Sequence, residues 1–258
     1  MRVTICELPH DPAAVGAAWA GLRAHTWQQK TELLLLPEFA MVEPVWEGER
    51  FDPERWAVAE EVSAGWMQLF GELHAELVVG TRPTSVDDAR FRYNEGYIWS
   101  AAAGVRPLRR KYFLPNESGG WEARWFDRGD PVFPAFRAGD ASFGLNICSE
   151  LWAVETYGEY AEQGVQMILS PRATGSATTA KWLSAGVVAA VRSGAFSVSS
   201  NRAGPGDAYG GVGWVINPRG EVLATTSADA PFATVDLDLG AATAERDRYP
   251  RYLFSGQA

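Results

Sequence analysis

The chain has 258 residues, about one large domain or two small ones at roughly 100–200 residues per domain, and enough to bury a sizeable core. A composition of 47% hydrophobic and 21% charged residues matches ordinary globular chains and excludes a disordered or collagen-like protein. The net charge of −9 repels phosphate backbones and anionic lipid, so neither nucleic acid nor a membrane is an expected partner.

Residues 3–8 are β-branched and apolar and read as a strand. Residues 12–30 read as a helix that Asp11 can cap. The run Leu33-Leu34-Leu35-Leu36, closed by Pro37, has the pattern of a strand buried on both faces. A helix over 53–75 and a strand over 77–81 repeat the β-α-β order, which predicts an α/β protein. Strands over 90–101 and 104–113, joined by a turn at Gly104, predict hairpin pairing and hence a mixed sheet. Residues 114–134 lack periodicity and read as a long irregular loop of the kind that carries function. Beyond it come strands over 141–147, 165–169 and 196–200, helices over 154–163 and 178–193, a hairpin of 212–217 with 221–225, and a last strand over 233–237. No linker, repeat or low-complexity segment divides the chain.

Cys6 and Cys148 are the only cysteines, too few for a disulfide scaffold and suited to a reducing cytoplasm. Glu7, His10 and Asp11 interrupt the first apolar run, and no window reaches the ~18 apolar residues of a membrane span. A cytoplasmic protein is expected.

Three polar residues stand where predicted strands end: Glu38, Lys111 and Cys148. Each has a bland reading. Glu38 could be a turn carboxylate, and Lys111 could belong to a solvated strand end with the rest of the Arg106 to Lys111 cluster. Cys148 could be a small core filler, as Cys6 is expected to be. Together they supply a general base, an oxyanion stabiliser and a nucleophile for attack on a carbonyl or nitrile carbon. A cysteine–histidine pair is disfavoured, because His10, His25 and His74 lie away from these positions.

Four segments together resemble the nitrilase or carbon–nitrogen hydrolase superfamily: LLLLPEF (33–39), RKYFLPNESGGWEARWF (110–126), GLNICSELWAVE (144–155) and NRAG (201–204), the last followed by GGVGWVINPRGEVLA. The resemblance implies Glu38 as general base, Lys111 as catalytic lysine, Glu122 as a second, loop-borne glutamate and Cys148 as nucleophile. It also implies Glu155 as a buried structural carboxylate and a four-layer α-β-β-α sandwich with two mixed sheets. One domain of residues 1–258 is expected, because the motifs spread over most of the chain, and so is pairing into a homodimer or larger homo-oligomer. No cofactor or metal is implied.

Ser149 and Glu150 stand where the family commonly has an aromatic residue and an aspartate. Trp152 replaces a common basic residue, and Arg172 replaces a small residue often found beside the substrate. The backbone N–H of Ser149 is expected to serve the oxyanion. Arg172 is expected either to bind a substrate carboxylate or to pair with Glu150 or Glu155. Trp152, with Trp121 and Trp125, is expected either to wall the substrate pocket or to serve the core or a subunit contact. The chain ends soon after Asp238, without the C-terminal extension associated with true nitrilases, which favours a small-amide hydrolase acting through a cysteine thioester. The alternatives are a nitrilase or N-carbamoyl amide hydrolase on the same site, or a non-catalytic binder on the same fold.

Overall fold

In the computed structural model, which describes residues 1–88, 90–245 and 248–254, β1 (Arg2–Pro9) leads into α1 (Pro12–Gln29). The Asp11 side chain accepts from the N–H of Ala13, with Pro12 in the first turn. Val15, Trp19, Leu22 and Thr26 form the buried stripe of α1 at helical spacing. β2 (Leu33–Leu35) is buried on both faces and lies parallel to β1 and to β3 (Leu77–Val86). α2 (Pro53–Gln68) ends before the predicted 75 and gives way to a 3₁₀ turn, Phe70–Leu73. Such a turn eclipses residues three apart, and both Phe70 and Leu73 are fully buried.

β3 runs past the predicted 81 because it pairs along its length with β4 (Phe91–Ser100), which pairs in turn with β5 (Gly104–Arg110). Both pairings are antiparallel, so the sheet is mixed as expected. The loop after β5 holds one turn of helix, α3 (Glu122–Trp125), and a short strand, β6 (Phe136–Ala138), neither of which the residue pattern predicts. There follow β7 (Ala141–Leu145), α4 (Thr156–Glu162), β8 (Met167–Arg172), α5 (Thr179–Ser193) and β9 (Phe196–Ala203). β10 (Trp214–Ile216), β11 (Val222–Thr225), β12 (Phe232–Asp236) and α6 (Leu239–Glu245) complete the described elements.

Hydrogen bonding links the strands in the order β5-β4-β3-β2-β1-β9-β8-β7-β6, with β10 on β9, β11 on β10 and β12 on β1. β1 is the hinge of this arrangement: Val3 to Ile5 pair with β2, and Glu7 to Pro9 pair with β9. Side-chain alternation then builds separate cores. Leu33, Leu35 and Val79 meet Phe143, Leu145 and Leu169 in one cluster, whereas Leu34, Leu36 and Val78 pack on Trp19, Leu22 and Phe70. Ile168, Trp214 and Ile216 pack on α4 and α5 in a third. No helix among the described residues is long and apolar enough to cross a membrane.

Candidate active site

Past Leu35 the chain leaves β2 but stays pinned. The N–H of Glu38 donates to the Arg172 carbonyl at 3.2 Å, and that of Phe39 to Oγ1 of Thr81 at 2.9 Å. Phe39 sits at φ 45°, a left-handed conformation uncommon outside glycine. Arg202 holds the same turn from below, its Nη1 donating to the carbonyls of Phe39 and Val42 at 2.6 and 2.7 Å. Lys111 directly follows β5, its N–H donating to the Asn94 carbonyl at 2.8 Å.

These placements bring Nζ of Lys111 2.8 Å from Oε1 of Glu38 and 2.8 Å from Oε1 of Glu122. All three side chains are buried. Glu122 opens α3, which is fixed by Trp125: its indole N–H donates to the Gly48 carbonyl at 2.5 Å, and its side chain is fully buried. Trp121 and Trp125 therefore pack around the glutamate's loop, as part of or against the aromatic cluster of Phe39, Trp46 and Phe126.

Cys148 begins the 3₁₀ turn Cys148–Trp152 at φ 48° and is buried, a strained elbow of the kind that marks functional positions. Burial pushes its thiol pKa up. The carboxylate of Glu38 adds to the rise, while Lys111 opposes it, Glu122 adds again, and a backbone hydrogen bond from Ala173 lowers it; the net shift is upward. At neutral pH the sulfur is therefore protonated, and its attack on a carbonyl needs a base. Lys111 loses proton affinity by burial but gains more from Glu122, Glu38 and Cys148, so it stays charged. Burial pushes Glu122 up to about 8 despite Lys111.

Glu155, read from the resemblance as a buried carboxylate, is exposed at the start of α4. The buried carboxylate is Glu150. Both its oxygens accept from the Arg109 guanidinium, Oε1 also takes the Tyr112 N–H at 2.7 Å, and Oε2 takes the Ile147 N–H at 2.9 Å. The lysine strand and the cysteine turn are thereby tied through one side chain. Arg109 and Lys111 are buried, whereas Arg106 is exposed and Arg110 half-buried, so the reading of the cluster as a solvated strand end holds at Arg106 and is corrected at Arg109 and Lys111.

Ser149 is half-buried, its hydroxyl donating to the Phe113 carbonyl at 2.7 Å. Trp152 is 48% exposed and lies against Trp182 of α5 at 5.1 Å between ring centroids. Arg172 is buried and pairs with neither Glu150 nor Glu155; its nitrogens donate to Ser199, Thr174 and Val212. Asn201 accepts from the Thr174 N–H and donates to the carbonyls of Thr174 and Gly211, which explains why NRAG closes this region. Cys6 is a core thiol on the Leu35 carbonyl, as expected. Asn94, which the sequence reading passed over, donates from Nδ2 to Oε1 of Glu38 at 2.7 Å.

A sequence profile described as carbon-nitrogen hydrolase matches residues 2–247. The chain belongs to the carbon–nitrogen hydrolase family. Among solved structures, a carbon-nitrogen hydrolase from Helicobacter pylori G27 superposes with a TM-score of 0.86 at 18% identity, covering 98% of this chain and 94% of that one. An amidase from Nesterenkonia sp. superposes with a TM-score of 0.76 at 21% identity, covering 98% and 95%. A variant of the amidase from Nesterenkonia sp. AN1, which superposes with a TM-score of 0.75 at 20% identity over 98% of both chains, carries acrylamide added at its active-site cysteine. Among curated sequences, an N-carbamoylputrescine amidase of Oryza sativa subsp. japonica is 32% identical over 42% of this chain and 36% of its own length. One of Solanum lycopersicum is 33% identical over 33% of this chain and 28% of its own length. The matched stretch thus spans about a third of these relatives.

Proposed function

We propose that this carbon–nitrogen hydrolase cleaves a non-peptide carbon–nitrogen bond of a small amide, releasing ammonia or an amine and a carboxylic acid through a thioester on Cys148. The observation that carries the reading is the buried Lys111 bridging Glu38 and Glu122 at 2.8 Å each, in the neighbourhood of a protonated, strained Cys148.

Glu38 takes the thiol proton as sulfur bonds to the amide carbon, and the carbonyl oxygen gains negative charge. Lys111 has three N–H donors and spends two on Glu38 and Glu122, which leaves one for the oxyanion beside the backbone N–H of Ser149. Collapse breaks the carbon–nitrogen bond, and Glu38 returns its proton to the departing nitrogen. Glu38 then deprotonates a water that attacks the thioester; the acid leaves and sulfur recovers its proton. Glu122 orients Lys111 through Oε1, and its Oε2 has no partner among the described residues, so it is available to the leaving group.

In this reading one domain of residues 1–258 builds the site, and the alternation of core side chains between sheet halves and helices supports α-β-β-α layering. Two free cysteines suit a reducing cytoplasm, and exposed apolar side chains on α5 and near the C-terminus, Val188 and Phe254 among them, suit a homodimer or larger homo-oligomer. An N-carbamoyl amide is the second substrate reading, favoured by the curated relatives.

The test is an ammonia-release screen over simple aliphatic amides, ω-amides, carbamoyl compounds and nitriles, with intact-mass measurement of the trapped enzyme. A mass increase on Cys148 with an amide supports the proposal. A nitrile turned over to the exclusion of amides, or a Cys148 no more reactive than Cys6 towards iodoacetamide, overturns it in favour of a nitrilase or a binder respectively.

A further inference from the structure

Successive side chains of a strand point to opposite faces, and at the end of β8 this separates Arg172 from Ala173. Ile168 packs with Trp214 and α5, while Met167 and Leu169 join the cluster that holds Cys148. Arg172 follows the parity of Ile168: its guanidinium lies over the Trp214 ring, 4.0 Å from the centroid. Ala173 instead packs against the cluster of Phe39, Trp46 and Trp125 beside Glu38. The small residue at this edge of the site is thus Ala173.

Every nitrogen of the buried guanidinium is already committed within the protein, three of its five N–H donors in all. Nε donates to Oγ of Ser199 at 2.7 Å, Nη1 to Oγ1 of Thr174 at 2.8 Å and Nη2 to the Val212 carbonyl at 2.6 Å. A ligand carboxylate would have to be gripped by the two N–H left over, one on each Nη, in a fully buried place, or else displace these bonds. Val212 itself is at φ 58°, an outlier for a β-branched residue, and is gripped from both ends, because its N–H donates to the buried Glu7 carboxylate at 2.7 Å. The main chain of Arg172 meanwhile holds the base loop, its carbonyl accepting the Glu38 N–H at 3.2 Å.

We infer that Arg172 is a positioning residue: its side chain clamps residues 172–174 to Ser199 and Val212, and so keeps its own carbonyl under Glu38 and Ala173 at the edge of the site. It acts through Glu38 and the 173–174 backbone and touches no substrate. This rests on the hydrolase reading above and differs from both roles expected from the sequence, a grip on a substrate carboxylate and an ion pair with Glu150 or Glu155.

The test uses Arg172→Met, which keeps the stem on Trp214 and removes every donor, and Arg172→Lys, which keeps one cationic donor. Displacing reacting groups by about 1 Å costs on the order of 10²-fold in rate. Arg172→Met is therefore expected to lower kcat by ~10²-fold while KM stays within about twofold for neutral and carboxylated amides alike, and to slow iodoacetamide labelling of Cys148. Arg172→Lys is expected to recover part of kcat. A KM rise confined to carboxylated amides overturns the inference in favour of substrate binding. Wild-type kcat and labelling with only a lowered Tm overturn it in favour of a purely structural role. Should Arg172→Met not fold, Ser199→Ala decides: a several-fold lower kcat at unchanged KM supports the clamp, and wild-type kcat overturns it. If wild-type Cys148 labels no faster than Cys6, the hydrolase reading falls, and this inference with it.

Discussion

Asn94 and Lys111 converge on one atom, Oε1 of Glu38, from which they stand 2.7 and 2.8 Å. Two donors on one oxygen fix the rotation of the carboxylate, so Asn94 sets the direction of the base as much as Lys111 does. Removing a hydrogen bond to a charged acceptor loses about 1.5–3 kcal/mol. If that loss falls on the transition state, Asn94→Ala lowers kcat by roughly 10–100-fold. Steady-state kinetics on an amide found by ammonia release check this, and a wild-type kcat would show that the lysine alone orients Glu38.

Lys111→Met removes the cation between two buried carboxylates and the donor assigned to the oxyanion. Loss of one such donor typically costs ~10²–10³ in kcat, so turnover is expected to be nearly silenced. Cys148→Ala should fold as the wild type does and form no acyl adduct by intact mass. Full activity in Cys148→Ala on a confirmed substrate would remove the cysteine from the mechanism.

The places of Glu38, Lys111 and Cys148 were legible because each stands just past the end of a strand, and chemistry in α/β proteins gathers at strand ends. Asn94 was not: it lies inside β4 in the run RYNEGYIWS, where adjacent polar residues obscure the pleat's alternation, and only the antiparallel pairing with β3 and β5 turns it toward Glu38. Glu150 and Glu155 were exchanged for a similar reason. Five residues apart on a 3₁₀ turn and its exit, they differ in their partners: Glu150 meets Arg109, 41 positions away, and the N–H groups of Tyr112 and Ile147. The setting of Arg172 lay beyond local pattern because β8 continues past the predicted 169 in register with β9, pairing Arg172 with Asn201, and its guanidinium lies over Trp214 and away from Glu150 and Glu155. The sheet order also lay beyond local pattern, since β1 changes partners between Ile5 and Glu7 within one continuous strand.

The raised pKa of Glu122 makes stability depend on pH. Folded, the group holds its proton up to about 8, where an ordinary glutamate releases it near 4.5. The folded chain therefore binds more protons than the unfolded chain across that window. The stabilisation is full below the unfolded value and is lost as pH rises through about 8. The Tm of the wild type is expected to decline across that window by more than that of Glu122→Gln, whose side chain is neutral throughout. The same variant should lower kcat chiefly above a pH of about 8, where the wild-type carboxylate is charged and holds Lys111 more strongly than an amide does. Thermal unfolding of both proteins from pH 5 to 8 measures the difference, and parallel curves would mean that Glu122 is ionised in the folded chain.

Glu150 offers a sharper test of how the lysine strand is tied to the cysteine turn. Each of its oxygens accepts a backbone N–H, from Tyr112 and from Ile147, in addition to Arg109. Glu150→Gln is therefore not conservative here, because one acceptor becomes a donor that confronts a buried N–H. Removing one partner of a buried ion pair costs about 3–5 kcal/mol, and each kcal/mol lowers Tm by roughly 2–4 °C in a chain of this size. Arg109→Met is thus expected to lower Tm by about 10 °C, and Glu150→Gln by a comparable amount. The double variant should lose less than the sum, since the two residues share one interaction. Only Glu150→Gln also strips an acceptor from the Ile147 N–H next to Cys148, so it should depress kcat further than Arg109→Met does. Additive Tm losses, or equal kcat in the two single variants, would show that the carboxylate serves stability alone and leaves the elbow to hold itself.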